Sequence, residues 1–245
     1  MTNKLINDLN TVNPILANAP YNVTRVDALK LLSVYKVSYH DSGKIEGIFS
    51  FDSSCHGSVF CGFMRSLAEK NPGIICGLCY DAAQEKYKAN VKERHTLNLR
   101  IMSSVLFAEE ELSVLTTGYI NRFNSSGDID NLTQARNYIR IAKIHPLQKF
   151  ALWSKNFDIV AKALDIEGKP ENMIYIASST LIDKPAKLPK YADYTFTVYS
   201  TEEKLQEAIN TGSVFCGGKK CKDCGFKCYF GLWPIGSDIA ELLRK

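Results

Sequence analysis

An α/β fold, made of parallel βα units that form a partial (β/α) barrel or an open sheet, is predicted by three observations in this 245-residue chain. Short β-branched and aromatic runs alternate with helical-period segments every ~25–30 residues. The composition, 45% apolar and 23% charged, suits a chain that buries a full core. The eight cysteines fall in two sets of four, at 55, 61, 76, 79 and at 216, 221, 224, 228, which adds Cys-rich metal-binding loops to the frame.

Residues 1–44 read as an N-terminal extension, with a turn over Asn10-Thr-Val-Asn-Pro14 and a helix opened by a Thr24 cap. Val34-Tyr-Lys-Val-Ser-Tyr39 alternates as a strand, Asp41-Ser-Gly43 turns the chain, and Ile45-Glu-Gly-Ile-Phe-Ser-Phe51 returns toward Cys55. A short helix from Met64 closes at Asn71-Pro-Gly73. The stretch from Asp81 to Phe107, free of Gly and Pro, places Leu97, Ile101 and Val105 at helical spacing and forms one or two helices. A regular rhythm follows. Strands are expected at Gly118–Phe123, Lys149–Trp153, Asn172–Ala177 and Tyr194–Tyr199, with helices over Asn131–Lys143, Asn156–Leu164 and Glu202–Asn210. Ser213-Val-Phe215 then enters the second cysteine set. The α/β metal-binding domain spans 45–230, and 231–245 reads as a C-terminal helix.

The later cysteines are spaced Cys216-x4-Cys221-x2-Cys224-x3-Cys228, with Gly217, Gly218 and Gly225 freeing the backbone to wrap one metal ion or iron–sulfur cluster. Lysines 219, 220, 222 and 227 are expected to offset the thiolate charge. The alternatives are disulfides, which suit small secreted domains, or redox thiols. The chain opens without the apolar run of a signal peptide and contains no apolar stretch of the ~20 residues needed for a membrane helix, so a soluble cytoplasmic protein is expected. The earlier set is looser, Cys55-x5-Cys61-x14-Cys76-x2-Cys79. Its firm part is the Cys76/Cys79 pair, and His56 is either an extra ligand or an ordinary hydrogen-bonding residue. The net charge of +4 does not indicate a nucleic-acid partner, and any substrate is unspecified.

In parallel α/β folds, ligands gather at the C-terminal ends of strands. Here those positions are polar: Ser53 and Ser54, Asn124 to Asp128, Ser154 to Asn156, Ser178 to Thr180, and Ser200. Both cysteine sets are expected on this rim, with Asp128 and Lys155 as candidate catalytic residues and Ser126 and Ser178 as candidate cofactor contacts. Each has a plainer reading: a turn with an Asp helix cap, a solvated lysine, and capping serines. Arg122, in mid-strand, needs an anion if it points inward, unless it faces outward or pairs with Asp128. No Gly-x-Ser-x-Gly, Walker loop or His-Glu-x-x-His is present, so serine-hydrolase, ATPase and zinc-protease chemistry lacks its central residues.

Cys55, Cys76-x2-Cys79-Tyr80, Asn98, Arg122-Phe-Asn-Ser-Ser-Gly-Asp128, His145-Pro146, Phe150-Ala-Leu-Trp-Ser-Lys155 and the terminal Cys-x2-Cys, in that order, resemble the phage and mobile-element family called gene product 88 over roughly residues 45–230. That family is similar in organisation to radical-SAM-type proteins. The resemblance implies a partial barrel with an iron–sulfur cluster, [4Fe-4S], after the first strand, an auxiliary cluster at the second quartet, and S-adenosylmethionine as a cofactor. All four early cysteines are expected to reach the metal, since free thiols seldom lie beside a cluster without joining it; four thiolates would close the site, whereas three would leave an iron open to S-adenosylmethionine. The early spacing departs from the Cys-x3-Cys-x2-Cys of radical-SAM proteins, and their glycine-rich segment is not evident. The alternative is a non-enzymatic module with zinc in one or both sites, binding nucleic acid or a host protein.

Overall fold

The computed structural model describes residues 11–17, 23–217 and 220–243. Its chain starts with helix α1 over residues 11–17 and α2 over Arg25–Val34, the latter capped by Thr24, whose hydroxyl accepts the Asp27 N–H at 3.1 Å. α1 replaces the turn expected around Pro14. Val12 and Leu16, one helical turn apart, are buried in the main core, and that packing outweighs the local Asn-Pro signal. Leu31 and Leu32 of α2 join the same core. The boundary expected at residue 44 therefore does not separate two packing units.

The hairpin is present but short: β1 (Ser38–Tyr39) pairs antiparallel with β2 (Phe49–Phe51). After β2 come α3 (Val59–Lys70), a 3-10 turn (Ile75–Leu78), α4 (Tyr80–Tyr87), α5 (Ala89–Ser104) and the single turn α6 (Glu109–Leu112). α3 starts before the expected Met64 because Ser58 caps it, accepting the Cys61 N–H at 3.0 Å. β3 (Ile120–Phe123), α7 (Leu132–Ile144), β4 (Lys149–Ser154), α8 (Phe157–Glu167), β5 (Met173–Ser178), β6 (Tyr194–Tyr199) and α9 (Glu202–Asn210) follow close to their predicted places. The chain closes with β7 (Val214–Phe215), a 3-10 turn over Cys221–Cys224, α10 (Lys227–Phe230) and β8 (Asp238–Leu242).

These strands form one open eight-stranded sheet, ordered β1-β2-β3-β4-β5-β6-β8-β7, in which every pairing except β1–β2 is parallel. The sheet is edged by β1 and β7. From β2 to β6 the order is sequential, so right-handed crossovers put their helices on one face. Side-chain alternation follows. Phe123, Phe150, Leu152 and Tyr175 pack against Ile139 of α7 and Val160 of α8, whereas Ile120, Ala151 and Trp153 face the other side, where Tyr229, Phe226 and Phe230 cover them.

The expected C-terminal helix over 231–245 is corrected to a strand. β8 inserts between β6 and β7 and pairs with both, in register Thr195↔Asp238 and Val214↔Ile239, so its backbone groups are satisfied by two neighbours while Ile239 and Ala240 are buried. In so short a segment, tertiary pairing decides the structure. Among the described residues no helix is long and apolar enough to cross a membrane.

Candidate functional site

Parallel pairing from β2 to β7 puts the residues that follow these strands at one end of the sheet. Cys55 follows β2 and Cys216 follows β7 directly, so both cysteine sets start at that end. Two loops there are fastened together. Buried Asp52 accepts the Ser125 hydroxyl at 2.5 Å and the Ser126 N–H at 3.0 Å, while the Ser53 N–H donates to the Ser126 carbonyl at 3.1 Å. Gly127 sits at φ +81°, and a Cβ there would lie 2.2 Å from Ser53 Oγ and 2.5 Å from the Ser53 carbonyl oxygen, so only glycine fits the Ser-Gly-Asp loop. Asn98 secures the same region, donating to the carbonyls of Lys36 and Asp52.

The first thiols are gathered from a loop, helix α3 and a 3-10 turn. Cys55 Sγ and Cys79 Sγ are 4.0 Å apart, well beyond a disulfide bond and close to the ~3.8 Å edge of a tetrahedron with 2.3 Å metal–sulfur bonds. The Asp81 carboxylate completes a group whose ligand atoms all lie within 4.8 Å of one another. Cys61 contacts Cys55, and Cys76 feels the charge of both Cys61 and Cys79. Cys79 is lowered to about 6 by its hydrogen bond to Cys55, which outweighs burial; Cys55 is raised by Cys61, Cys79 and burial, so Cys79 ionises first. Burial pushes Cys76 up to about 11 and Asp81 up to about 7. Beneath them Glu85, 1% exposed, accepts the Ser54 hydroxyl and the N–H groups of Cys55 and His56, and meets His95 Nδ1 at 3.2 Å. His56 Nε2 contacts the Ala82 carbonyl at 2.8 Å, which engages that ring nitrogen away from the thiols.

The second set folds within one segment. Cys216, Cys221, Cys224 and Cys228 line a small cavity of about 40 Å³ with Lys44, Phe226, Tyr229 and Trp233. All four thiols are free, and burial pushes Cys221 up to about 11 and Cys228 up to about 12. The segment is pinned by the Cys221 N–H donating to the Lys44 carbonyl at 2.7 Å and the Cys216 N–H donating to the Ala240 carbonyl at 2.8 Å. Of the lysines of this loop, Lys220 also lines that cavity, but the ammonium groups among the described residues take other partners. Lys220 and Lys222 both bind Glu46 at 2.5 Å, Lys227 stacks on Trp233, and Lys219 lies outside the described residues. A carboxylate one salt bridge away is a stronger partner for a mobile ammonium than a protonated thiol. The cations that Cys221 feels are Arg122 and Lys44.

A cleft of about 360 Å³ joins the two regions, lined by Asp81, Arg122, Asn124, Asp128, Trp153, Lys155, Ser178 and three thiols of the second set, Cys216, Cys221 and Cys228. The structure thus brings together Asp128, Lys155 and Ser178 with both cysteine regions. Ser126 is not among the lining residues; its backbone fastens the loop instead. Asp128 is an anchored carboxylate, accepting the Ser154 hydroxyl at 2.6 Å and the N–H groups of Ile129 and Lys155. The cap of α7 is Asn131, not Asp128. Burial raises the Asp128 pKa, with Lys155 partly offsetting; burial works against the Lys155 charge, but Asp128 and the first thiols hold its pKa above the ordinary value.

Arg122 takes neither of the plainer roles considered for it. It lies over the Trp153 ring at 4.2 Å from the centroid and faces the cleft. Burial opposes its charge, while Tyr229, Cys221 and Asp81 more than compensate. Sequence reasoning missed Asp81, Glu85 and Tyr229. Asp81 is two residues past Cys79, a spacing that could have marked it; the roles of Glu85 and Tyr229 depend on contacts distant in sequence.

Compared with known proteins, the chain matches the family model Gene product 88 over residues 16–231. No curated protein and no solved structure matches it.

Proposed function

The chain belongs to the Gene product 88 family, and we propose that it is an iron–sulfur protein with two four-cysteine centres, acting as a radical-SAM-like enzyme of mobile-element origin on a ligand held between them. The observation that carries this reading is the shared cleft: three thiols of the second quartet line it together with Leu78, Tyr80 and Asp81, which flank Cys79 of the first, and with buried charge. Centres that only stabilised a fold would have no use for such a cavity, because buried charge without a ligand costs stability. The sequential strand order, with the first quartet after the first parallel strand, also supports it.

In this reading Cys55, Cys61, Cys76 and Cys79 hold one centre and Cys216, Cys221, Cys224 and Cys228 the other. A bound cluster supplies one-electron chemistry. Lys155 presents a positive charge to the ligand, and Asp128 positions Lys155 by accepting its backbone N–H. Asp81 offers an oxygen beside Cys55 and Cys79, which bears on how open the first centre is to a cofactor such as S-adenosylmethionine. Trp153 and Tyr229 form the apolar floor and exclude water.

The test is anaerobic purification followed by metal and sulfide analysis and electron paramagnetic resonance of the reduced protein, with and without S-adenosylmethionine. About eight iron and eight sulfide per chain is the expected result; a spectrum that shifts on adding the cofactor favours the enzyme and means that only three of the four early thiols hold the first cluster. Colourless protein with about two zinc per chain would sink the enzyme reading in favour of closed structural centres.

A further inference from the structure

Two cations in the cleft, Arg122 and Lys155, have carboxylates nearby, Asp81 and Asp128, but none at ion-pair distance. Among the described residues neither Arg122 nor Lys155 makes an ion pair, whereas Lys44, Lys220 and Lys222 each do. Arg122 Nε is buried without a hydrogen-bond partner, and so is Nδ2 of Asn124, a residue 3% exposed. Ser53 Oγ donates to Asn124 Oδ1 at 3.2 Å, which fixes the amide so that the unpartnered end is its NH2. Both unpartnered groups are donors only. Trp153, stacked on Arg122, holds the guanidinium by its face and leaves its in-plane N–H fork for a planar or tetrahedral oxyanion. Arg122, Asn124 and Lys155 line the same cleft, on or just past the neighbouring strands β3 and β4.

We propose that the cleft is a receptor for a small organic anion bearing a phosphate or carboxylate group, gripped by Arg122 and Lys155 with the Asn124 amide as a further donor. The proposal rests on the cleft being the ligand site between the two centres. Charge compensation accounts for Arg122 near Cys221 and Asp81 and for Lys155 near Asp128 and the first thiols, but not for the orphaned Asn124 amide or the unpartnered Arg122 Nε.

The experiment is titration calorimetry on the full chain, purified anaerobically, with inorganic phosphate, S-adenosylmethionine and its decarboxylated form as probes. Saturable phosphate binding assigns a phosphate source. Binding of S-adenosylmethionine at least tenfold tighter than its decarboxylated form assigns a carboxylate. In either case Arg122→Gln and Lys155→Gln are each expected to weaken binding at least tenfold, with metal content equal to that of the unmodified protein. The proposal is overturned if no probe saturates, if the carboxylate makes no difference and phosphate does not bind, or if both variants bind like the parent. Should Arg122→Gln fail to fold, Lys155→Gln decides alone. Metal analysis of the same samples separates the readings: anion binding by protein that carries no iron keeps the receptor and removes the iron–sulfur assignment.

Discussion

The two thiol quartets are built from opposite materials. The first spans Cys55 to Cys79 and stands on a buried polar network in which Glu85 takes three donors and Arg65 donates to the Cys55 carbonyl at 2.6 Å. The second spans Cys216 to Cys228 and stands on aromatic packing, Tyr229 against Trp153 at 5.4 Å and against Phe226 at 6.2 Å, over the open face of the sheet. Such networks are directional and fail when one member is removed, because its partners are left buried and unpaired. Aromatic packing depends on volume and tolerates a change of polar tip. The same kind of thiol set can therefore be positioned by hydrogen-bond direction or by shape, and the two should break differently.

The largest expected effect is loss of one centre. Cys79→Ala and Cys228→Ala should each remove about half of the bound metal by elemental analysis. If either emptied both sites, the partition into two centres would be wrong. Next is Tyr229→Ala, which opens a cavity beneath the second quartet and should cost about 4 kcal/mol in chemical denaturation. Tyr229→Phe should stay within about 1 kcal/mol, because the hydroxyl makes no well-formed hydrogen bond and meets only the Arg122 guanidinium.

Glu85→Ala should cost about 3 kcal/mol and loosen the first centre while metal at the second is retained. An equal loss from both centres would mean that the network is shared. The smallest effect serves as a control far from either quartet. Glu167 binds Arg136 at 2.7 Å and Arg140 at 3.0 Å; burial opposes its ionisation, but these arginines hold its pKa below the ordinary range. A lowered folded pKa means that the contribution is present above the unfolded value of about 4.3 and is lost as pH falls through the folded one. Glu167→Gln should thus cost about 1 kcal/mol at neutral pH, converge with the parent in acid, and leave metal content unchanged.

Much of the α/β frame was legible because its signals are local. The Thr24 cap, the helix over Glu202–Asn210 and the strand at Tyr194–Tyr199 follow from periodicity and capping chemistry that a few neighbouring residues decide. The gathering of Asp128, Lys155 and both cysteine sets at one end of the sheet was legible for the same reason, since parallel strands put their C-terminal ends together. What failed was set by distant partners. Residues 11–17 became helix because Val12 and Leu16 found the core, and Asp238–Leu242 became strand because β6 and β7 bracket it.

By itself, then, the sequence determined where the two cysteine sets fall and that Cys55 and Cys216 follow strand ends. Tertiary structure decided where their charge is balanced. Lys220 and Lys222 turned to Glu46, Arg122 settled on Trp153 facing the cleft, and Asp81 came beside Cys55 and Cys79. Electrostatic partners are chosen by distance in space, and a long flexible side chain can satisfy its charge in several directions, so adjacency along the chain does not reveal which one the folded protein takes.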